Sequence, residues 1–115
     1  MPFLFTATPP LRPSGKVIIL DSTIQTKLEL LRLFAKELDF PEYFGYNWDS
    51  LYDSLRDEVS SLKGELFIFH RSLVSLTTTE QKTYLKILQD ILDFDSRVTI
   101  WFNQCDRDSV LSYLK

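Results

Sequence analysis

The sequence predicts an α/β fold: a small three-stranded parallel sheet packed with about three main helices. Three observations carry that expectation. Short apolar runs stand at 16–20 (KVIIL), 65–70 (ELFIFH) and 98–102 (VTIWF). Each is nearly continuous in apolar residues rather than alternating, the pattern of strands buried on both faces of a parallel sheet. Between them lie segments long enough for helices and carrying helix-start signals, so strands and helices follow one another in the order β-α-α-β-α-β. Right-handed crossovers then lay helices on the sheet, and with three strands one face is expected to be less covered.

The first strand is followed by the turn DSTIQT. Thr26, with Glu29 three residues later, is a capping-box signal. The helix it opens carries Leu28, Leu31, Phe34, Ala35 and Leu38 on one stripe, and Pro41 ends it, because the residue before a proline avoids the helical region. A second helix is expected from about Trp48 to Glu58 with Asn47 as its N-cap. Lys63 and Gly64 turn the chain into the second strand. RSLVSL, which follows, leaves a helical turn open. Thr77 and Glu80 form another capping-box signal, starting a long helix with Tyr84, Ile87, Leu88, Ile91 and Phe94 on its inner face. DSVLSYL, after the third strand, reads as a short closing helix.

The chain has 115 residues, enough for a single domain over 16–115. Residues 1–15 read as a partly extended N-terminal extension, ordered where Phe3, Leu4 and Phe5 find a groove or a sheet edge. Their three prolines from Pro9 onward and the lack of a basic start argue against a signal peptide. No apolar run is long enough to span a membrane. The one cysteine, Cys105, excludes an internal disulfide and suits a reducing compartment, so a cytoplasmic setting, in a bacterium or another cytosol, is expected.

The segment FPEYFGYNWDSLYDSL, 40–55, concentrates the chemistry. On a helix, Trp48, Leu51, Tyr52, Leu55 and Val59 form the inner stripe, while Asp49, Asp53 and Asp57 repeat one turn apart on the other side, flanked by Tyr46 and Ser50. Like charges at this spacing oppose helix formation by about 0.2–0.5 kcal/mol, and Asp49 recovers part of that from the helix dipole. From Asp39 to Glu58 there are six acids and one Arg, a net charge of −5, so the rest of the chain carries +2. A solvated helix face explains most such patterns. Here the preceding loop adds Tyr43, Phe44 and Tyr46 around Gly45, more aromatic surface than one loop can bury, and Tyr and Trp are common interface anchors.

Pro41 to Leu55 resembles the Pro-Glu-Tyr-aromatic-Gly-x-Asn-x-Asp-x-Leu-x-Asp signature of the barstar family, intracellular protein inhibitors of secreted ribonucleases such as barnase. The resemblance implies a barstar-like fold, with no enzyme activity, no cofactor and no metal. It implies as partner a basic extracellular-type ribonuclease, bound 1:1 at its cationic active site. It also implies roles by position. Tyr43 packs beside the enzyme's cleft, and Gly45 and Asn47 face the enzyme. Asp49 meets an arginine at the cleft edge. Asp53 is the dominant acid, placed where a substrate phosphate would sit. Tyr52 replaces a family tryptophan, and Asp90 falls where the family often has a further acid. Phe44 and Trp48 alter the surface near the anchor. Residues 1–15 lie outside the resemblance, and the connection from 71 to 79 is shorter than the family's.

Other chemistries fit less well. Asp49 and Asp53 share an exposed face with no apolar pocket to raise one pKa, as a glycosidase pair needs. His70 ends a strand with no nucleophile motif about it. Cys105 lacks a second metal ligand, and Asp106 and Asp108 do not make a calcium loop. A sequence pI near 5.1 and the absence of a basic cluster disfavour nucleic acid. The alternative is an immunity protein or regulatory adaptor that meets a non-ribonuclease target through the same acidic face.

Overall fold

A computed structural model describes residues 3–7 and 15–114. It contains strands β1 (Leu4–Thr6), β2 (Gly15–Leu20), β3 (Glu65–His70) and β4 (Val98–Asn103). The helices are α1 (Lys27–Glu37), α2 (Trp48–Ser61), α3 (Thr78–Phe94) and α4 (Arg107–Tyr113), the last preceded by a 3₁₀ turn at Gln104–Asp106. The strands form one all-parallel sheet in the order β1-β4-β3-β2. The parallel α/β expectation holds; the strand count does not, because Leu4–Thr6 adds a fourth strand at the edge beside β4. Three residues are too few to show a periodicity, and the pairing that stabilises them comes from the far end of the chain. Phe3 and Phe5 fix that edge, with ring centroids 5.1 and 6.2 Å from Phe102. The remainder of the expected extension, residues 1–2 and 8–14, lies outside the described residues.

The core sits on one face of the sheet. Ile18 and Leu20 of β2, Leu66 and Ile68 of β3, and Val98, Ile100 and Phe102 of β4 meet buried residues from all four helices. The opposite face gathers Phe67, Phe69 and Trp101 with Val17, while Ile19 and Leu4 are exposed. Strand alternation thus separates two unequal apolar faces.

Helices α1, α2 and α3 begin where the sequence signals them, at Thr26, Asn47 and Thr77. Thr26 caps α1 by accepting from the Glu29 N–H at 3.1 Å. The Glu29 carboxylate takes the Gln25 N–H, one residue earlier than in a reciprocal capping box. The box at Thr77 and Glu80 is complete. The inner stripe of α1 is Leu30, Leu31, Phe34 and Leu38. Leu28 is exposed, contrary to expectation, because it lies about 100° round the helix from the centre of that stripe. Phe94, expected inward on α3, is also exposed. The helix α1 ends before Pro41 acts. Asp39 adopts a left-handed backbone (φ 52°), and the Phe40 N–H returns to the Ala35 carbonyl at 2.9 Å, a Schellman closure that buries Phe40.

No helical turn forms at 71–77. That connection is held instead by side chains. The Asp106 carboxylate accepts from the Leu73 N–H at 3.1 Å, and the Gln81 amide donates to the Val74 carbonyl at 2.6 Å. Among the described residues no helix is long and apolar enough to cross a membrane.

Candidate partner-binding surface

The candidate surface is built from the loop 41–47, the outer face of α2 and the facing edge of α3. The loop starts as a turn, with the Phe44 N–H bonded to the Pro41 carbonyl at 3.0 Å. Phe44 points inward. It is buried, and its ring lies 4.9 Å from Phe40 and 4.8 Å from Tyr46. Its ring is therefore a support beneath the loop and offers no free contact face, which corrects its expected place among the contacting side chains. The reason is the Schellman turn, which brings Phe40 under the loop and gives Phe44 an apolar partner. Tyr43, with no such partner, projects outward at 84% exposure.

Tyr46 is exposed and carries a left-handed backbone (φ 51°), uncommon for a bulky residue. The tight path around it explains Gly45. A Cβ there would sit 2.7 Å from Ser50 Oγ and 3.0 Å from Asn47 Nδ2. Asn47 joins loop to helix: its side-chain Oδ1 accepts from the Ser50 N–H at 2.8 Å, capping α2, and its side-chain Nδ2 donates to the Gly45 carbonyl at 3.3 Å. The expected N-cap is thus the residue that fixes the loop.

Helix α2 buries Leu51, Leu55 and Val59 and half-buries Trp48 and Tyr52. Asp49, Asp53 and Asp57 are exposed on the other side. Among the described residues, no Lys or Arg of the chain forms an ion pair with any of the three. Arg56, the nearest cation in sequence, is turned to rings: its guanidinium lies 4.5 Å from the Phe94 centroid and 5.5 Å from that of Tyr52. The exposed Phe94 therefore has a role that a purely apolar reading of α3 missed. Further along, burial raises the Glu58 carboxyl pKa above its ordinary value, and repulsion from Asp39 and Asp57 adds to the shift.

The helix runs to Ser61, three residues beyond the expected end. Its last turn holds no basic residue of its own. Arg97, from the turn before β4, supplies one: its guanidinium donates to the carbonyls of Leu62 at 2.5 Å and Val59 at 2.6 Å. Asp95 orients it, with contacts of 3.1 and 2.8 Å. Those bonds hold the Asp95 carboxyl below its usual range. A cation on these terminal carbonyls also suits the helix dipole. Nothing in the local sequence near 59–62 could reveal a partner from so far along the chain.

Between α2 and α3 runs an open groove of about 440 Å³, lined by Trp48, Asp49, Tyr52, Lys82, Thr83, Lys86, Ile87 and Asp90. Asp90 therefore does reach the same groove as Asp49 and Tyr52, although it is paired with Lys86 at 3.2 Å. Lys82 and Lys86 are the residues that the sequence reading overlooked. Their i, i+4 spacing was visible, but nothing local placed them beside α2. Lys27 of α1 adds a third ammonium, 5.1 Å from the Trp48 ring. Among the described residues, no group of His, Cys, Asp and Glu side chains is gathered so as to hold a metal ion.

His70 belongs to the core, away from this surface. It is fully buried, stacked on Phe102 at 4.0 Å, with Nδ1 3.0 Å from the Trp101 carbonyl.

No curated protein matches the chain. One family does match, described as Barstar (barnase inhibitor), over residues 16–108. That span runs from β2 into α4 and includes the whole loop and acidic helix. On that match the chain belongs to the barstar family.

Proposed function

We propose that this protein inhibits a barnase-like ribonuclease in a 1:1 complex, blocking its cationic active site by occupancy. Asp53 enters the cleft where a substrate phosphate would bind, and Asp49 meets a cation at the cleft edge. Tyr43 and Tyr46 pack on the rim, with Gly45 and Asn47 shaping the loop between them. Tyr52 and Asp90 extend the contact toward α3. Carboxylates can stand in for phosphate because both accept paired hydrogen bonds from arginine.

The observation that carries this reading is the state of the α2 acids. They are exposed, one turn apart on a rigid helix, and unneutralised by the chain's own Lys or Arg among the described residues. A purely structural helix gains nothing from that arrangement. A surface awaiting outside cations does. Family membership over this same segment supports the reading.

The test is a titration of wild type and Asp53→Ala against purified barnase-type ribonucleases, with RNA cleavage as a second readout. Inhibition by the wild type and its loss in the folded variant support the proposal. A wild type that neither binds nor inhibits any of these enzymes, while capturing an unrelated enzyme, shifts the assignment to the immunity or adaptor reading.

A further inference from the structure

The groove between α2 and α3 narrows the choice of partner, on the premise that the inhibitor reading is correct. The α2 wall carries Asp49, and the α3 wall carries Lys82 and Lys86 with Asp90 one turn beyond Lys86. Both lysines are exposed, and Trp48, Tyr52 and Ile87 supply apolar surface between the walls. Lys86 is partly satisfied by Asp90 at 3.2 Å. Lys82 has no carboxylate within ion-pair distance among the described residues. The surface is therefore two-signed. Asp53 and Asp57 lie toward the middle of α2, while ammonium groups border its first turn.

A partner seated over Asp49 must also cover this groove. If its face were cationic throughout, its own Lys and Arg would be driven against Lys82, with screening reduced by the excluded water. Like charges across an interface reject partners as effectively as opposite charges attract them. We infer that the cognate ribonuclease carries an Asp or Glu at the rim of its cationic cleft and that this carboxylate enters the groove to pair with Lys82 and Lys86. The groove is large enough to take such a side chain beside the aromatic floor. The two patches of opposite sign also fix the orientation in which the enzyme docks.

The sign of a charge reversal tests this. Lys82→Glu, Lys82→Met and wild type are compared by surface plasmon resonance at low and moderate salt, using each barnase-type ribonuclease that the wild type inhibits. Asp53→Ala is the control for the main site, and thermal melts establish that the variants fold. The expected result is a Kd at least tenfold weaker for Lys82→Glu, with slower association, and a smaller loss for Lys82→Met. A wholly cationic enzyme face gives the reverse, faster and tighter binding by Lys82→Glu. That result, or an unchanged Kd, overturns the inference while leaving the inhibitor reading intact so long as Asp53→Ala still weakens binding. Failure of the wild type to bind any of the enzymes overturns both.

Discussion

The Nε2 atom of His70 lies 2.7 Å from the Tyr84 hydroxyl, and both side chains are fully buried. The Trp101 carbonyl on the other side of the ring can only accept, so Nδ1 carries the proton and donates. In the neutral ring Nε2 is then an acceptor, and Tyr84 must donate. Burial lowers the His70 pKa to about 4 and raises that of Tyr84, so both stay uncharged at neutral pH.

The first prediction concerns pH. The unfolded chain takes a proton on His70 near its ordinary pKa of 6.5, whereas the folded state refuses it until about 4. Stability from this group is complete above pH 6.5 and is lost as pH falls toward 4, amounting to about 3 kcal/mol. Glu58, whose folded pKa is raised, acts in the opposite sense, gaining stability as pH falls through the carboxylate range. Urea unfolding between pH 7 and 5 should therefore show a decline of up to one proton in slope. A flat profile there excludes the account. Tyr84→Phe, which strands Nε2 without a donor, should cost about 1–3 kcal/mol at pH 7.

Gly45 supplies a second test. Alanine there drives a methyl group against Ser50 Oγ, at 2.7 Å, and crowds the Asn47 cap. The expected loss is about 0.5–2 kcal/mol, the range for a compromised N-cap. Gly45→Ala combined with Ser50→Ala removes the closer obstacle and should recover part of it. Equal stability of single and double variants would show that the Ser50 hydroxyl is not the constraint.

Arg97 gives a third. Arg97→Met removes the bonds to the Val59 and Leu62 carbonyls while keeping an apolar stem. Amide exchange should accelerate in the last turn of α2, and the melting temperature should fall. Protection around Leu51 and Leu55 should persist, because those residues are anchored in the core. Uniform acceleration along the whole helix would mean that Arg97 supports more than its end.

The fourth prediction addresses binding under the proposed function. Asp53→Ala should leave the melting temperature nearly unchanged. It should weaken the complex by roughly 2–5 kcal/mol, the range for truncating one partner of a buried charge pair, a range in which barnase–barstar is itself one of the measured cases. Association of the wild type should slow as salt rises, since exposed charges beyond about 10 Å are screened at 0.1 M. An association rate indifferent to salt, measured by stopped flow, contradicts electrostatic steering.

Much of this was legible locally. Capping signals at Thr26, Asn47 and Thr77 marked helix starts because an N-cap is a contact between residues two or three apart. The stripe of Leu51, Leu55 and Val59 likewise followed from a single helix period. What escaped depended on distant partners. Leu4–Thr6 is a strand only because β4 lies beside it, and Lys82 faces Asp49 only because α2 and α3 are neighbours. Read from the sequence, Phe44 counts with Tyr43 and Tyr46 on the contact surface, since composition alone does not tell which ring of an aromatic loop the Schellman turn will shelter.

The pairing of Leu4 with Trp101 ties nearly the first described residue to one close to the last. During synthesis, an emerging chain can assemble β2, α1, α2 and β3 while its opening residues still lack a strand to join. The edge closes only once β4 has left the ribosome. Contacts of such long sequence separation slow folding, and a chain cut short before β4 would leave Phe3 and Phe5 without the Phe102 ring they pack against.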